Sequence, residues 1–359
     1  MKKEILLSYF PKITTRRYGQ LLAFFSSLDN AWKADAEDLK KAGWKEDVID
    51  KFLEWKKEVD EEKIEKILKQ ENITCIFKDD KNYPELLKEI YDPPFCLFIR
   101  GNFEPDEFSL AVVGTRKYSP YGKQVTQELV YDLALQNITI VSGLALGIDA
   151  IAHEAVLKAG GKTIAILGSG INRNHVYPTQ NKDLAERIIA AGGALISEYP
   201  PGTVPSRYTF PKRNRIIAGM TLGTLVVEAP ESSGALITSQ CALDNGREVF
   251  AIPQNINATN SAGPNELIKN GAHPVSKASD ILDMLNLQDV KKYISNKEII
   301  PDSPAEAKIL ENLTREPIHV DELAKKCQMA SAELNGNLTL MEMKGKIRNL
   351  GGMNYVLSR

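Results

Sequence analysis

Ile138-Thr-Ile-Val-Ser-Gly-Leu-Ala-Leu-Gly-Ile-Asp-Ala-Ile-Ala-His153 decides the fold. A short apolar run, Ile138–Val141, stops at Ser142-Gly143, and a helical pattern begins beyond Gly147. A buried strand that ends in small residues and leads into a helix is the first half of a strand–crossover–strand unit. The same pattern recurs at Leu110–Val113, Thr163–Leu167, Ala194–Ile196, Thr224–Val227 and Val249–Ile252. Segments of helical period, such as Gln124–Leu135 and Asp183–Ala191, lie between most of them. Crossovers of this kind are right-handed and cover both faces of a parallel sheet. The expected fold is therefore α/β, a doubly wound Rossmann-like core. Asp80–Asn102 precedes the first clear unit and is expected to extend the sheet or pack on its edge.

Outward from this core the pattern changes at both ends. Residues 1–72 carry apolar residues at helical spacing (Leu21, Leu22, Phe24 and Phe25, then Leu39, Val48, Ile49 and Phe52) with Gly43 between two such patterns. They predict a small helical domain, SAM-like or helix-hairpin-helix-like. The core is expected over 73–288. A polar linker after Asp289 leads to residues 303–359, where Ala305–Leu313, Val320–Cys327 and Ser331–Met341 read as helices. Residues 345–356 alternate around Gly351-Gly352 as a hairpin would, which makes a winged helix. Its third helix is nearly uncharged, with cations only at Lys344, Lys346 and Arg348 beyond it, so a protein contact suits it at least as well as DNA.

The bulk numbers restrict the function classes. At 359 residues the chain exceeds ordinary single-domain size. No apolar run approaches the roughly 20 residues that span a bilayer. The N-terminal apolar patch is too short for a signal-peptide core. Cys75, Cys96, Cys241 and Cys327 are scattered, with no zinc spacing or disulfide framework, and fit a reducing, cytoplasmic location. A formal net charge of -2 gives no delocalised attraction to nucleic acid, so any such site must be local.

In doubly wound folds ligands sit at the carboxyl ends of the strands. Three successive strands there end in glycine beside Ser or Thr: Gly114-Thr115-Arg116, Ser142-Gly143 and Gly168-Ser169-Gly170. Small residues let a backbone approach an anion, and helix-start N–H groups supply donors. A fourth run, ending at Ser197-Glu198, leads to Arg207-Tyr-Thr-Phe-Pro-Lys-Arg-Asn-Arg215, which holds four cations, two aromatics and no acid. Guanidinium forks bind phosphate oxygens and aromatic faces stack bases. The dinucleotide fingerprint and the P-loop are both absent, which argues against NAD and against P-loop ATP hydrolysis. Asp149 is expected to cap a helix and His153 to pack; Glu198 and Glu228 lack metal spacing.

Val113-Gly-Thr-Arg116, the Val141–His153 stretch, Phe210-Pro-Lys-Arg-Asn-Arg-Ile-Ile-Ala-Gly219, Val226-Val-Glu-Ala229, Ser233-Gly-Ala-Leu-Ile-Thr238 and Ser261-Ala-Gly-Pro-Asn-Glu-Leu-Ile268 follow in this order. Together they resemble the DNA-processing protein A family (DprA, also called Smf), over residues from about 75 to 285. The resemblance implies a cytoplasmic single-stranded DNA binder of bacterial natural transformation that protects incoming strands and helps load the RecA recombinase. It implies no catalysis, cofactor or metal, and a homodimer built through roughly 235–285. Its pocket would use Arg116, and Arg207 with Phe210 three residues apart; Arg207 stands where a lysine is common. Combined with the loops, the expected DNA-binding set is Gly114, Thr115, Arg116, Ser142, Gly143, Gly168, Ser169, Gly170, Arg207, Phe210, Lys212, Arg213, Asn214 and Arg215. Pro253-Gln254 replaces the family's usual Pro-Gly, and Pro11-Lys-Ile-Thr-Thr15 replaces a Gly-rich hairpin.

Two rivals come from other classes. A Rossmann-like nucleotide-processing enzyme, similar to the phosphoribohydrolases, would need a Pro-Gly-Gly-x-Gly-Thr signature, and Glu228 is followed by Ala-Pro-Glu-Ser-Ser instead. A winged-helix regulator would need a basic third helix, which Ser331–Met341 is not.

Overall fold

Six apolar runs form six neighbouring parallel strands, and the sheet grows beyond them at both edges. The computed structural model describes residues 1–105, 108–285, 303–313, 318–343, 346–349 and 351–357. They fall into two units, 1–287 and 288–359. The first holds a nine-stranded sheet: β1 (Ile73–Phe77), β2 (Cys96–Gly101), β3 (Ser109–Val113), β4 (Thr139–Ser142), β5 (Thr163–Ile166), β6 (Ala194–Ser197), β7 (Gly223–Val226), β8 (Glu248–Ala251) and β9 (His273–Pro274). Their order is β1-β2-β6-β5-β4-β3-β7-β8-β9. Strands β3 to β9 pair in parallel, whereas β2 runs antiparallel to both β6 and β1. The expected extension by Asp80–Asn102 is thus β2.

Each strand of the inner sheet is covered on both sides, which is why its sequence is continuously apolar. On one face Phe98, Ala165 and Leu195 join a core shared with Leu6, Leu39 and Phe52 of the N-terminal helices. On the other, Leu97, Ile99, Ile164 and Ile196 meet Ile216 and Ile217 of the helix Thr209–Gly219 and Ala235 of the helix Gly234–Asp244. The alternation Leu97/Phe98/Ile99 is the two-residue period of a strand. The N-terminal helices therefore pack on the sheet as part of one core. Phe10, Trp44 and Phe52 fill their centre, with Phe52 and Trp44 centroids 5.2 Å apart, and Tyr18 stacks on Phe95 at 4.3 Å.

Strand ends and helix starts are fixed by local chemistry. Ser119 accepts the Gly122 N–H at 3.0 Å and Pro120 follows it, so the helix Pro120–Leu135 starts there. Gly147, at φ +88, has the Thr115–Arg116 backbone against its α-carbon, and the Ile148 N–H reaches Thr115 O at 3.2 Å. A side chain would not fit, so glycine lets the loop after β4 support the loop after β3.

The second unit is a winged helix: helices Pro304–Asn312, Val320–Cys327 and Ser331–Met343, with β10 (Ile318–His319), β11 (Ile347–Asn349) and β12 (Asn354–Leu357) in the order β10-β12-β11. The turn at Gly351-Gly352 has φ +95 and +58. Lys346 donates to Glu306 at 2.6 Å, and both are nearly out of solvent. That cation, one of the three beyond the third helix, is tied down. Lys344, the Arg348 side chain and the polar linker after Asp289 lie outside the described residues, save that the linker's end reaches Ser303.

All three tryptophans, Trp32, Trp44 and Trp55, lie in the N-terminal helices. Phe98, on β2, is fully buried in the core they share. Phe98→Ala is expected to destabilise by about 3–5 kcal/mol. In urea, tryptophan fluorescence should shift to a lower midpoint together with far-UV circular dichroism; a fluorescence transition unmoved by the substitution would contradict a shared core.

Candidate nucleic-acid interface

The end of β3 and the loops beyond β4, β5 and β7 line a cleft of about 700 Å³. Its walls are the loop Gly114–Arg116, residues 205–207, the start of the helix Thr209–Gly219 and the start of the helix Gly234–Asp244. The basic stretch does form a wall of it, and Arg207 and Phe210 come together with Arg116 as expected. Arg116 and Arg207 are exposed. The Arg116 guanidinium lies 5.9 Å from the Phe210 ring centroid. Arg207 donates to the Tyr208 hydroxyl at 2.6 Å and lies over its ring at 4.8 Å. Phe210 is half-buried and packs over Gly168, where any side chain would meet the ring.

Other cations of the stretch do not face the cleft freely. Arg213 is buried, 5% exposed, and donates to Gly143 O at 2.7 Å and to Ile166 O. It is part of the cleft lining, yet its guanidinium is spent on tying the ends of β4 and β5 together, where the sequence suggested a phosphate clamp. Burial lowers its pKa to about 10, still charged at neutral pH. Arg215 pairs with Glu198 and, at 3.5 Å, with Asp92. Lys212 is exposed, 3.7 Å from Glu198 and 6.0 Å from the Tyr199 ring centroid. Neither of these two lines the cleft.

The glycine loops are likewise less open than their sequence suggests. Asp149 Oδ2 accepts the Gly143 N–H at 3.1 Å and the Ala145 N–H at 3.4 Å, and the Gly114 N–H also bonds to this carboxyl. A carboxylate of the protein thus gathers the amides expected to hold an outside anion. Asp149 closes these loops, although it was expected to cap its helix. Burial raises its pKa, opposed by Arg213 and these amides. The hydroxyls are similarly committed: Ser142 to Val112 O at 2.6 Å and Ser169 to His175 O at 2.9 Å. Thr115 Oγ1 accepts the Lys117 N–H at 3.1 Å, and the Gly170 N–H goes to Thr203 O at 2.9 Å. Asn214 accepts from Arg213 Nε at 3.2 Å and donates to Gly234 O at 3.1 Å. These groups shape the cleft from within.

The structure also places residues that sequence reasoning missed. Tyr177, 41% exposed, stands 5.6 Å from Phe210 at an interplanar angle of 40°. It follows β5 on the same edge, so an aromatic beyond the third glycine loop was the available signal. Ser233 and Thr238 line the far wall. Glu228 is not a free carboxylate: it accepts from the Ser119 N–H at 2.9 Å, from the Ser119 hydroxyl and from Asn260 at 3.2 Å. Beneath the site, His153 is fully buried, as a packing role requires. Thr163 Oγ1 donates to Ile140 O at 2.7 Å, so the 2.7 Å contact to His153 Nδ1 requires a proton on that nitrogen.

Two outcomes follow from this division of roles. Arg213→Ala should destabilise the fold by about 3–5 kcal/mol, since it strips partners from buried groups, whereas Arg116→Ala should stay within about 0.5 kcal/mol in the same urea titration. Burial lowers the His153 pKa from 6.5 to about 3. The unfolded chain therefore binds a proton that the folded one refuses, and its contribution is complete above about pH 6.5 and is lost as pH falls toward 3. Stability should decline by up to about 1.4 kcal/mol per unit in that window, and His153→Gln should flatten the decline.

Comparison with known proteins agrees with this architecture. Residues 74–286 match the family described as DNA recombination-mediator protein A, and residues 296–353 match the DprA winged helix domain. Protein Smf of Escherichia coli is 39% identical over 292 residues, 79% of this chain and 78% of its own. The X-ray structure of DNA processing protein A from Streptococcus pneumoniae superposes with a TM-score of 0.67 at 36% identity, covering 79% of this chain and 98% of that one. A structure of DNA processing protein A from Helicobacter pylori, reported for its single-stranded DNA binding mode, gives a TM-score of 0.54 at 30% identity over 60% of this chain and 96% of that one. The matched core, the winged helix and the shared fold together place this chain in the DNA recombination-mediator protein A family.

Proposed function

We propose that this protein binds single-stranded DNA in the cleft, without catalysing a reaction, and passes it to a recombinase. The observation that carries the reading is the grouping of two exposed guanidiniums, Arg116 and Arg207, with Phe210 and Tyr177 in one cleft. Guanidiniums hold phosphates without regard to sequence, and a ring inside a cleft can stack only on a base that is not paired within a duplex. The relative from Helicobacter pylori supports the ligand class.

Carboxylates at this edge are engaged by the protein itself: Asp149 by amides, Glu228 by Ser119 and Asn260, and one oxygen of Glu198 by Arg215. Glycosidic-bond cleavage would need one of them poised toward substrate, so binding fits the geometry better than a phosphoribohydrolase reaction. In this role the protein would protect strands during natural transformation and load RecA. It would act in the cytoplasm as a homodimer through residues 235–285. No helix among the described residues is long and apolar enough to cross a membrane.

Fluorescent oligonucleotides of equal length, single-stranded and duplex, titrated across a salt series test the reading. Single strands should bind tighter, and Arg116→Ala should reduce the log–log salt slope by about 0.7, the loss of one phosphate contact. Phe210→Ala should cost about 1–3 kcal/mol of affinity and leave the slope nearly unchanged. Equal affinity for duplex, or identical behaviour of the two variants, would contradict it.

A further inference from the structure

Ser233 and Thr238 share the cleft with Arg116 but belong to the helix that follows β7. The order β4-β3-β7 sets the start of this helix beside the loop after β3, at the switch point where doubly wound sheets take ligands. Ser233 caps the helix, its Oγ accepting the Ala235 N–H at 3.3 Å. The next amide, that of Gly234, has no hydrogen-bond partner among the described residues, and open space lies where a β-carbon on Gly234 would stand.

Thr238 is an independent observation at the same place. It is 1% exposed, lines the cleft, and its hydroxyl makes no hydrogen bond among the described residues. Helical threonines often bond back to the carbonyl four residues earlier, as Thr126 does to Gly122 at 2.6 Å and Thr221 to Ile217 at 3.2 Å. For Thr238 that carbonyl belongs to Gly234, and the Asn214 side chain donates to it instead, at 3.1 Å. A hydroxyl on the cleft wall with no protein partner is open to a ligand oxygen.

We propose that the Gly234 N–H and the Thr238 hydroxyl form an uncharged anion subsite that takes one phosphate of the bound strand, across the cleft from Arg116. The inference rests on the single-strand reading and adds a second holding point to it. Helix-start amides and a hydroxyl bind phosphate without a cation, so this wall fixes the strand's position while Arg116 and Arg207 neutralise its charge. A phosphodiester within the strand and a terminal phosphate present the same oxygens.

The test uses the full chain with Thr238→Val, which keeps shape and loses the hydroxyl, and Thr238→Ser, which restores it. Gly234→Pro removes the free amide at the first helical position, where proline is tolerated. Ser239→Ala is the control, since that hydroxyl bonds to Leu236 O at 2.9 Å and is not part of the cleft wall. Thymidine oligonucleotides carry a 5′-hydroxyl, a 5′-phosphate, or one methylphosphonate scanned through the strand. Thr238→Val and Gly234→Pro should each weaken binding about 3- to 10-fold with the salt slope unchanged. Thr238→Ser should recover most of the loss, and Ser239→Ala should match wild type. A methylphosphonate position that penalises wild type but not Thr238→Val identifies an internal phosphate; a 5′-phosphate advantage lost in Thr238→Val identifies a terminal one. Wild-type affinity in folded Thr238→Val and Gly234→Pro, with single-strand preference intact, would overturn the subsite alone. Absence of single-strand binding by wild type would overturn both readings.

Discussion

The site depends on one buried cation. Arg213 donates to the carbonyls that end β4 and β5, and Asp149 beside it gathers amides from the loops after β3 and β4. Carbonyls and amides at strand ends are polar groups that burial would leave unpaired, and an unpaired charge in their place would cost several kcal/mol. The guanidinium and the carboxylate each answer the other's burial as well as the backbone's. The result is a rigid floor from which Arg116, Phe210 and Tyr177 project.

That arrangement separates cations that build the fold from cations left exposed in the cleft. Arg213 and Arg215 are held by carbonyls and carboxylates, whereas Arg116 and Arg207 are exposed in the cleft. A net charge of -2 is thus compatible with a nucleic-acid site, because the attraction comes from a few side chains held at the mouth of a low-dielectric cleft. In the proposed reading the aromatic pair would add affinity for an unpaired base that does not depend on salt.

The inner sheet was legible because burial on both faces writes continuous apolar runs, and β3 to β8 all match such runs. β1 was not, since only Ile73 and Phe77 of that edge strand are buried. β9 has two residues, too few to leave a period. The winged helix was legible from its helix lengths and its Gly-Gly turn. At the site, the sequence shows which residues are charged but not where the charge points. Helical period does place Arg213 on the same face as Ile216 and Ile217, three and four residues on, and that signal of burial was available in the basic stretch. Thr238 could not be found this way, because its significance lies in a hydrogen bond that Asn214, distant in sequence, takes from it.

The central claim is that an unpaired base lies against Phe210 and Tyr177. Photocrosslinking with a single-stranded oligonucleotide carrying 5-iodouracil, followed by mass-spectrometric mapping on the full chain, addresses it directly. The account predicts adducts at Tyr177, Phe210 or Tyr208. Adducts confined to the winged helix or to the N-terminal helices, with the cleft unmodified, would contradict it.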